Sequence, residues 1–351
     1  MKRLTTTVAA AALVAFGAGG ALVGAGGALA EEVVFACWGG ASQKNFQETI
    51  LPEFEKAHGA TVRYVPGGST YFVSQLQAQK GSPEIDVACM DDGPQSVARD
   101  LGLLEPLTVE TVPNLADVVP TAIGEGGSGV GYGLLAMGIV YAPEALEKAG
   151  IEPPKSWNDL ADPRFKGHVV MGTIDNTPGL FALMMLAKAN GGGVDNIEPG
   201  FAKMKEVAAN VGAFVKGTDM TPYFQQGEAW VTVWTNSEMN RFVANSGFPL
   251  KFVYPEEGAP VVMPMLNLVK GSPNPELGAK LIDYLISAKV QKMFATSSKL
   301  GPVNKHVELT PEEAEGVIYG DAVNRLLPVN WTALNENRPE WTKRWNQEIE
   351  R

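Results

Sequence analysis

Five short stretches concentrate the side chains that could grip a small polar molecule. "CWGGAS" places Trp38 ahead of Gly39 and Gly40, "PGGSTYF" supplies Gly68, Ser69 and Thr70, and "CMDDGP" supplies Asp91 and Asp92. Further along, "TIDNTPG" carries Asp175, Asn176 and Thr177, and "WTNSE" carries Trp234, Thr235 and Asn236. An indole offers a flat face to an apolar or cationic group. Glycines that open a helix leave backbone N–H groups free for an anionic or carbonyl oxygen, and a carboxylate pairs with an amine. Taken singly, each stretch reads better as turn and cap chemistry than as a binding site. What favours binding is their common placement, since each follows an apolar run with strand character.

Catalytic arrangements are harder to assemble. The three histidines, His58, His168 and His306, have no metal-ligand spacing among them. "GEGGSG" from Gly124 matches G-x-G-x-x-G, but it sits in a Pro- and Gly-rich loop and precedes an apolar strand. A dinucleotide fingerprint must instead follow a strand and open a helix. No P-loop lysine motif or G-x-S-x-G elbow occurs. Asp91 and Asp92 are adjacent at a strand end, where neighbouring side chains diverge, so a catalytic dyad is disfavoured. No catalytic residue, metal ligand or cofactor is assigned.

The elements that must position these residues alternate in kind. "EVVFACW", "TVRYV" and "IDVACM" read as strands, separated by the helical patterns "SQKNFQETILPEFEKAHG" and "STYFVSQLQAQKG". This is the βαβ grammar of a parallel sheet covered on both faces. Residues 106 to 133 are rich in Pro and Gly, and "YGLLAMGIVYAPEAL" then gives a strand long enough to cross between lobes. A second series follows with "HVVMGT", a helix from Gly179 to Ala189, another around 199 to 210, and "AWVTVWTN". "PVVMPMLNLVKGS" is the return strand, and "NPELGAKLIDYLISAKVQKMFA" carries two helices beyond it. In "KSWNDLADPRFKG", Ser156 and Asp159 form a capping box with Trp157 and Leu160 on the buried side, which makes the segment architectural. Two crossing strands, near 134 to 141 and 261 to 269, would form a hinge with a cleft between lobes. Ligands in open α/β sheets bind outside the carboxyl ends of the strands, where the five stretches fall.

The first 30 residues read as an export signal: a basic "MKR", a small-residue apolar run, and Ala28-Leu29-Ala30 as a cleavage motif before Glu31. Removing residues 1 to 30 from 351 leaves 321, enough for two ordinary domains. Lys2 and Arg3 are the only charged residues in the leader, so the formal charge moves from −11 to −13. That balance argues against nucleic acid or an anionic membrane as partner, and the mature chain is expected to be soluble and periplasmic. Cys37 and Cys89 end equivalent strands. In sheet order 2-1-3 those strands are neighbours, yet a bridge between adjacent parallel strands is geometrically awkward. A pair of free, buried thiols is therefore the favoured expectation, with the distance between the Cα atoms as arbiter.

As a set in this order, "IDVACMDD…ARDLGLLEPL", "YGLLAMGIVY", "SWNDLADPRFKG", "PYFQQGEAWVTVWTNS" and "NPELGAKLIDYLIS" resemble the periplasmic solute-binding proteins of bacterial ABC importers. Within that group they are similar to the spermidine/putrescine-binding family, and the resemblance covers residues 33 to 350. It implies an α/β fold of the type II periplasmic binding protein kind, with each lobe a mainly parallel sheet flanked by helices and the lobes joined by a two-strand hinge. It divides the chain into a leader (1–30), a first lobe (31–137), a second lobe (138–265), and a return segment to the first lobe with C-terminal helices (266–351). The implied partners are a small-molecule ligand and the importer's permease subunits. Aromatic walls match at Trp38 and Trp234, which should face one ligand from opposite lobes. The polar residue after the third strand falls on Asp91, but the aromatic two places later is Gly93. The family's second-lobe acids are Asn176 and Gly179, and its aromatic-x-aspartate is Val262 and Pro264. Losing those carboxylates would leave buried ammonium groups unpaired, so a long polyamine fits less well than a small amine-bearing or amino-acid-like solute. Iron binding would need a close tyrosine pair, and none of the eight tyrosines is adjacent to another. An ammonium is expected to meet Asp91, Asp92 or Asp175, and an anionic group the helix starts at Gly39 and Gly68.

Overall fold

The structure is a computed structural model that describes residues 31–216 and 219–350. The leader expected over residues 1–30, with its cleavage after Ala30, lies outside the described residues. Alternating strands and helices build β1 (Glu32–Trp38), β2 (Thr61–Gly67), β3 (Val87–Asp91), β4 (Leu104–Glu105) and β5 (Val130–Gly131). The next group is β6 (Leu135–Tyr141), β7 (Val169–Gly172), β8 (Val211–Val215), β9 (Val231–Thr235), β10 (Lys251–Val253) and β11 (Ala259–Val262). β12 (Pro264–Val269) and β13 (Leu326–Leu327) complete the set.

These strands form two sheets. The first has the order β2-β1-β3-β12-β4, with β5 also paired to β12; the second has the order β13-β11-β6-β9-β7-β8, with β10 on β6. Each contains a parallel trio with its earliest strand in the middle, β2-β1-β3 and β8-β7-β9. Each trio is then flanked by an antiparallel strand, β12 or β6. The parallel part is therefore three strands wide in each lobe, and the sheets are mixed because the crossing strands run the other way. The hinge is the pair β5–β6 and β11–β12. Val130 and Gly131 pair with Leu266 and Met265 in the first sheet, and Leu135 and Ala136 pair with Val262 and Val261 in the second. Between them the Tyr132 N–H donates to the Pro264 carbonyl at 2.9 Å.

Alternation along the strands decides what packs where. Val33, Phe35 and Cys37 face one core with Val87 and Cys89, under the helices Leu51–His58 and Pro275–Leu285. Val34, Ala36, Ala88 and Met90 face the other side with Phe72 and Leu76 of the helix Ser69–Ala78. In the second lobe the helix Thr177–Ala189 is buried continuously from Pro178 to Ala187. The capping box at Ser156 and Asp159 is present and opens a short 3-10 turn whose Trp157 and Leu160 are fully buried. Beyond the helices Pro275–Leu285 and Ala288–Ser298 the chain crosses a third time: β13 joins β11, and the helix Trp331–Glu348 buries Leu334, Trp341 and Trp345 in the second core. Those three positions fall on one helical stripe. The C-terminal helix thus packs on the second core.

Cys37 and Cys89 are bridged, contrary to the expectation of free thiols. Phe35 pairs with Val87 and Ala36 with Ala88, so the two cysteines are the next pair in register and point into the same core. Their Cα atoms are 4.8 Å apart, the spacing of neighbouring strands and inside the span a disulfide bridges. Parallel neighbours in direct register, with both side chains on one face, are close enough for the bond to close.

Candidate functional site

The carboxyl ends of β1, β2 and β3 come together beside the hinge. Ser69 opens the helix after β2, and its hydroxyl donates to Asp91 Oδ2 at 3.2 Å while accepting the Asp91 N–H at 3.1 Å. Burial pushes the Asp91 carboxyl up to about 6, with the Ser69 hydrogen bond pulling the other way. The Tyr64 hydroxyl donates to the Trp38 carbonyl at 2.6 Å, which fixes the half-buried Trp38 at the end of β1. The Trp38 ring lies 6.2 Å from Tyr132 on the hinge, and Tyr132 in turn packs on Phe46 and Phe294. Burial holds the Tyr132 phenol well above its ordinary range, and the Tyr64 and Asp91 charges push the same way. Gly40, at φ 66°, turns the chain into the next helix with no side-chain cap, and Gly68 starts its helix in the same uncapped fashion. Gly39 and Thr70 are exposed beside these starts.

The second lobe answers with a residue that the sequence reading passed over. Thr235 ends β9 and caps the helix Asn236–Ser246: its hydroxyl accepts the Glu238 N–H at 3.2 Å and donates to Glu238 Oε2 at 2.9 Å. Burial raises the Glu238 carboxyl above its ordinary value, and the Asp91 charge from the first lobe and that of Asp219 add to the rise, while Thr235 and Arg241 oppose it. Asp91 and Glu238 thus feel each other across the space between the sheets. Beside them, the Ser237 hydroxyl donates to the Ser298 carbonyl of the first lobe at 3.1 Å. Glu238 stands in the stretch "WTNSE", but its place three residues into a helix is where a capping acid is expected, and so it looked structural. Tyr132 lay in a Gly-rich segment with no periodicity to orient it.

The remaining expected site residues have the following places in the fold. Trp234 is 2% exposed and packs with Phe242, Met239 and Phe224 in the second lobe's own core, since alternation along β9 sends it to the face opposite Val231 and Val233. Its edge lines a pocket of about 330 Å³ together with Asp219, Glu238 and Arg241. Asp92 is 6% exposed and turns from Asp91 toward the hinge and Trp331. Asp175 is exposed, and its carbonyl accepts from Arg338 at 2.5 Å. Asn176 caps the helix that begins at Thr177, accepting the Gly179 N–H at 3.3 Å and donating to the Val215 carbonyl at 3.1 Å. Asn236 is buried and accepts the Ala136 N–H at 2.9 Å, a tie within the second lobe. Over Gly93, which replaces the family aromatic, stands the Trp331 ring of the C-terminal helix; a Cβ at that glycine would meet it at 2.8 Å. Among the described residues, no group of three or more His, Cys, Asp or Glu is arranged to hold a metal ion, and no helix is long and apolar enough to cross a membrane.

Two mixed sheets thus meet at the antiparallel crossings β5–β6 and β11–β12, with polar strand ends beside them. Residues 49–318 match the family model described as bacterial extracellular solute-binding protein. The chain belongs to that family. It is 27% identical over 307 residues to a Salmonella typhimurium protein provisionally named a 2-aminoethylphosphonate-binding periplasmic protein, covering 85% of this chain and 86% of that one. Over 174 residues it is 28% identical to the spermidine/putrescine-binding periplasmic protein of Escherichia coli, covering 48% of this chain and 49% of the relative. A crystal structure of an ABC transporter from Clostridium perfringens superposes with a TM-score of 0.79 at 26% identity, over 90% of this chain and 99% of the other. The solute-binding protein thus has the two-lobe fold that the resemblance implied.

Proposed function

We propose that this solute-binding protein is an exported, periplasmic receptor that closes on a small zwitterion and delivers it to an ABC-type permease. The ligand would carry an ammonium group and, two or three bonds away, a phosphonate or carboxylate. The observation that carries the reading is that Asp91 and Glu238, half-buried carboxyls at strand ends of opposite lobes, lie near enough for the Asp91 charge to make Glu238 costlier to ionise, against the pull of Thr235 and Arg241. An ammonium between them compensates both charges and draws the lobes together, so binding and closure become one event. The half-buried Trp38, braced on the buried Tyr132 with the ring planes tilted by 45°, offers an aromatic face at the same strand ends. The uncapped helix starts at Gly40 and Gly68 offer N–H groups to the anionic end. The relative named for 2-aminoethylphosphonate supports this combination, because that molecule joins the two required groups.

A linear polyamine is the second reading, favoured by the relative named for spermidine and putrescine and by the acidic set Asp91, Asp219 and Glu238. Calorimetric titration with 2-aminoethylphosphonate, ethylphosphonate, β-alanine and putrescine separates the two. A one-to-one isotherm for the zwitterions, with ethylphosphonate weak, supports the proposal. Tightest binding of putrescine replaces it with the polyamine reading, and chemical conversion of any of them, seen by mass spectrometry, would overturn the receptor role.

A further inference from the structure

A cavity of about 430 Å³ lies beside the hinge, and none of Trp38, Ser69, Asp91, Tyr132 or Glu238 lines it. Its walls come from four places: Gln95 and Arg99 of the helix Asp92–Asp100, the segment 121–125, the crossing residues Leu134 and Met263, and Val329 and Trp331 of the C-terminal segment. That size falls in the range of about 300 to 1,000 Å³ of small-molecule sites. Two polar atoms at its wall lack hydrogen bonds. Asp92 Oδ1 belongs to a side chain that is 94% buried, and Trp331 Nε1 is buried as well, yet neither completes a bond although the indole is near enough to hold the Asp92 carboxyl down. A buried acceptor and a buried donor left open side by side cost stability that any bridging group would return. Arg99 frames the cavity with its charge already met by Glu125 at 2.6 Å and Asp100 at 2.8 Å, and it donates to Thr332 at 3.1 Å. There is thus no uncompensated cation for an anionic occupant, while Leu134, Val261, Met263, Met265 and Val329 offer an apolar lining.

We propose that this cavity is a second binding site, for a small neutral alcohol whose hydroxyl bridges Asp92 Oδ1 and Trp331 Nε1 while its hydrocarbon body fills the apolar wall. A hydroxyl both donates and accepts, so one group satisfies both open atoms. Burial pushes the Asp92 carboxyl up to about 8, against the pull of Trp331, which agrees with a neutral partner. Because the walls belong to both lobes and to the hinge, the occupant's contacts depend on how the lobes sit, and its binding is linked to their movement.

Cyclohexanol is the probe, with toluene as a body that lacks the hydroxyl. The expected result is a saturable shift of the Trp331 indole N–H resonance, identified by its loss in Trp331→Phe, with toluene giving a weaker response. By calorimetry Trp331→Phe should bind cyclohexanol about fivefold to tenfold more weakly, the worth of one hydrogen bond. Should that variant fold poorly, Val323→Trp, at an exposed rim position of the cavity, should abolish the shift without touching either polar atom. Absence of a saturable shift, equal binding by toluene, or an unchanged response in Val323→Trp overturns the proposal.

Discussion

Reducing the Cys37–Cys89 bridge leaves every atom of both side chains in the core and removes only the covalent tie, so its effect isolates what the tie contributes. The closed loop spans a sequence separation of 52. For a loop of that length, the chain-entropy account gives a loss of about 14 cal/mol/K from the unfolded ensemble, or about 4 kcal/mol at 25 °C. With a urea m-value of about 3 kcal/mol/M for a chain of this size, the unfolding midpoint should fall by about 1.3 M with the slope little changed. The tie also sits where it serves the site. β1 and β3 share two registered pairs, Phe35 with Val87 and Ala36 with Ala88, and the bridge is the next rung before Trp38 and Asp91. Reduction should therefore weaken ligand binding as well as the fold. The assay is urea unfolding followed by circular dichroism with and without dithiothreitol, with free thiols counted in parallel. A midpoint that moves by less than about 0.3 M with both thiols reduced would refute the entropic reasoning.

Asp91→Asn keeps size and hydrogen-bonding capacity while deleting charge, and should cost an amine-bearing ligand about 2 to 5 kcal/mol in calorimetry; Glu238→Gln should cost it in the same direction, and ethylphosphonate should be insensitive to either. Affinity for a zwitterion should rise as pH climbs through about 6, because Asp91 must ionise to pair with the ammonium. For the unliganded fold the sign is opposite. Asp91 and Asp92 are raised from 3.8 to about 6 and about 8, so the stability they lend as neutral groups is complete below pH 3.8 and is lost as pH rises through those values. The melting temperature should accordingly fall between pH 5 and pH 9, and Asp92→Asn should flatten the upper part of that fall. Asp86→Ala should destabilise the first lobe by about 3 kcal/mol in urea unfolding, because its buried carboxylate accepts from the Val34 N–H, the Ser272 hydroxyl and the Asn274 N–H together.

The fold was legible because it rests on periodicity. The strands, the helices and the two crossings follow from apolar alternation and from Pro and Gly boundaries, and the Ser156–Asp159 box was readable from its spacing alone. The site was legible only in part. Ser69 and Asp91 meet because each ends or follows a strand of the same parallel trio. The packing of Trp234 was not legible because being near a strand end does not say which face a side chain takes; one step along β9 separates one core of the second lobe from the other. The cysteine bridge depended on the register of β1 against β3, a property of two distant segments that neither carries alone. Glu238 is invisible for a similar reason: its significance comes from Asp91 on the other lobe, and locally it reads as a cap. Tail residues were hardest of all, since Trp331 gains meaning only by standing over Gly93 after a third crossing.

The most direct test is a crystal structure of the protein saturated with 2-aminoethylphosphonate. The ammonium nitrogen should lie about 2.7 to 2.9 Å from carboxylate oxygens of both Asp91 and Glu238, with Trp38 and Tyr132 along one side and the phosphonate at the helix starts near Gly40 and Gly68. A closed complex in which the ammonium contacts neither carboxylate, or a ligand held wholly by one lobe, would contradict the central claim.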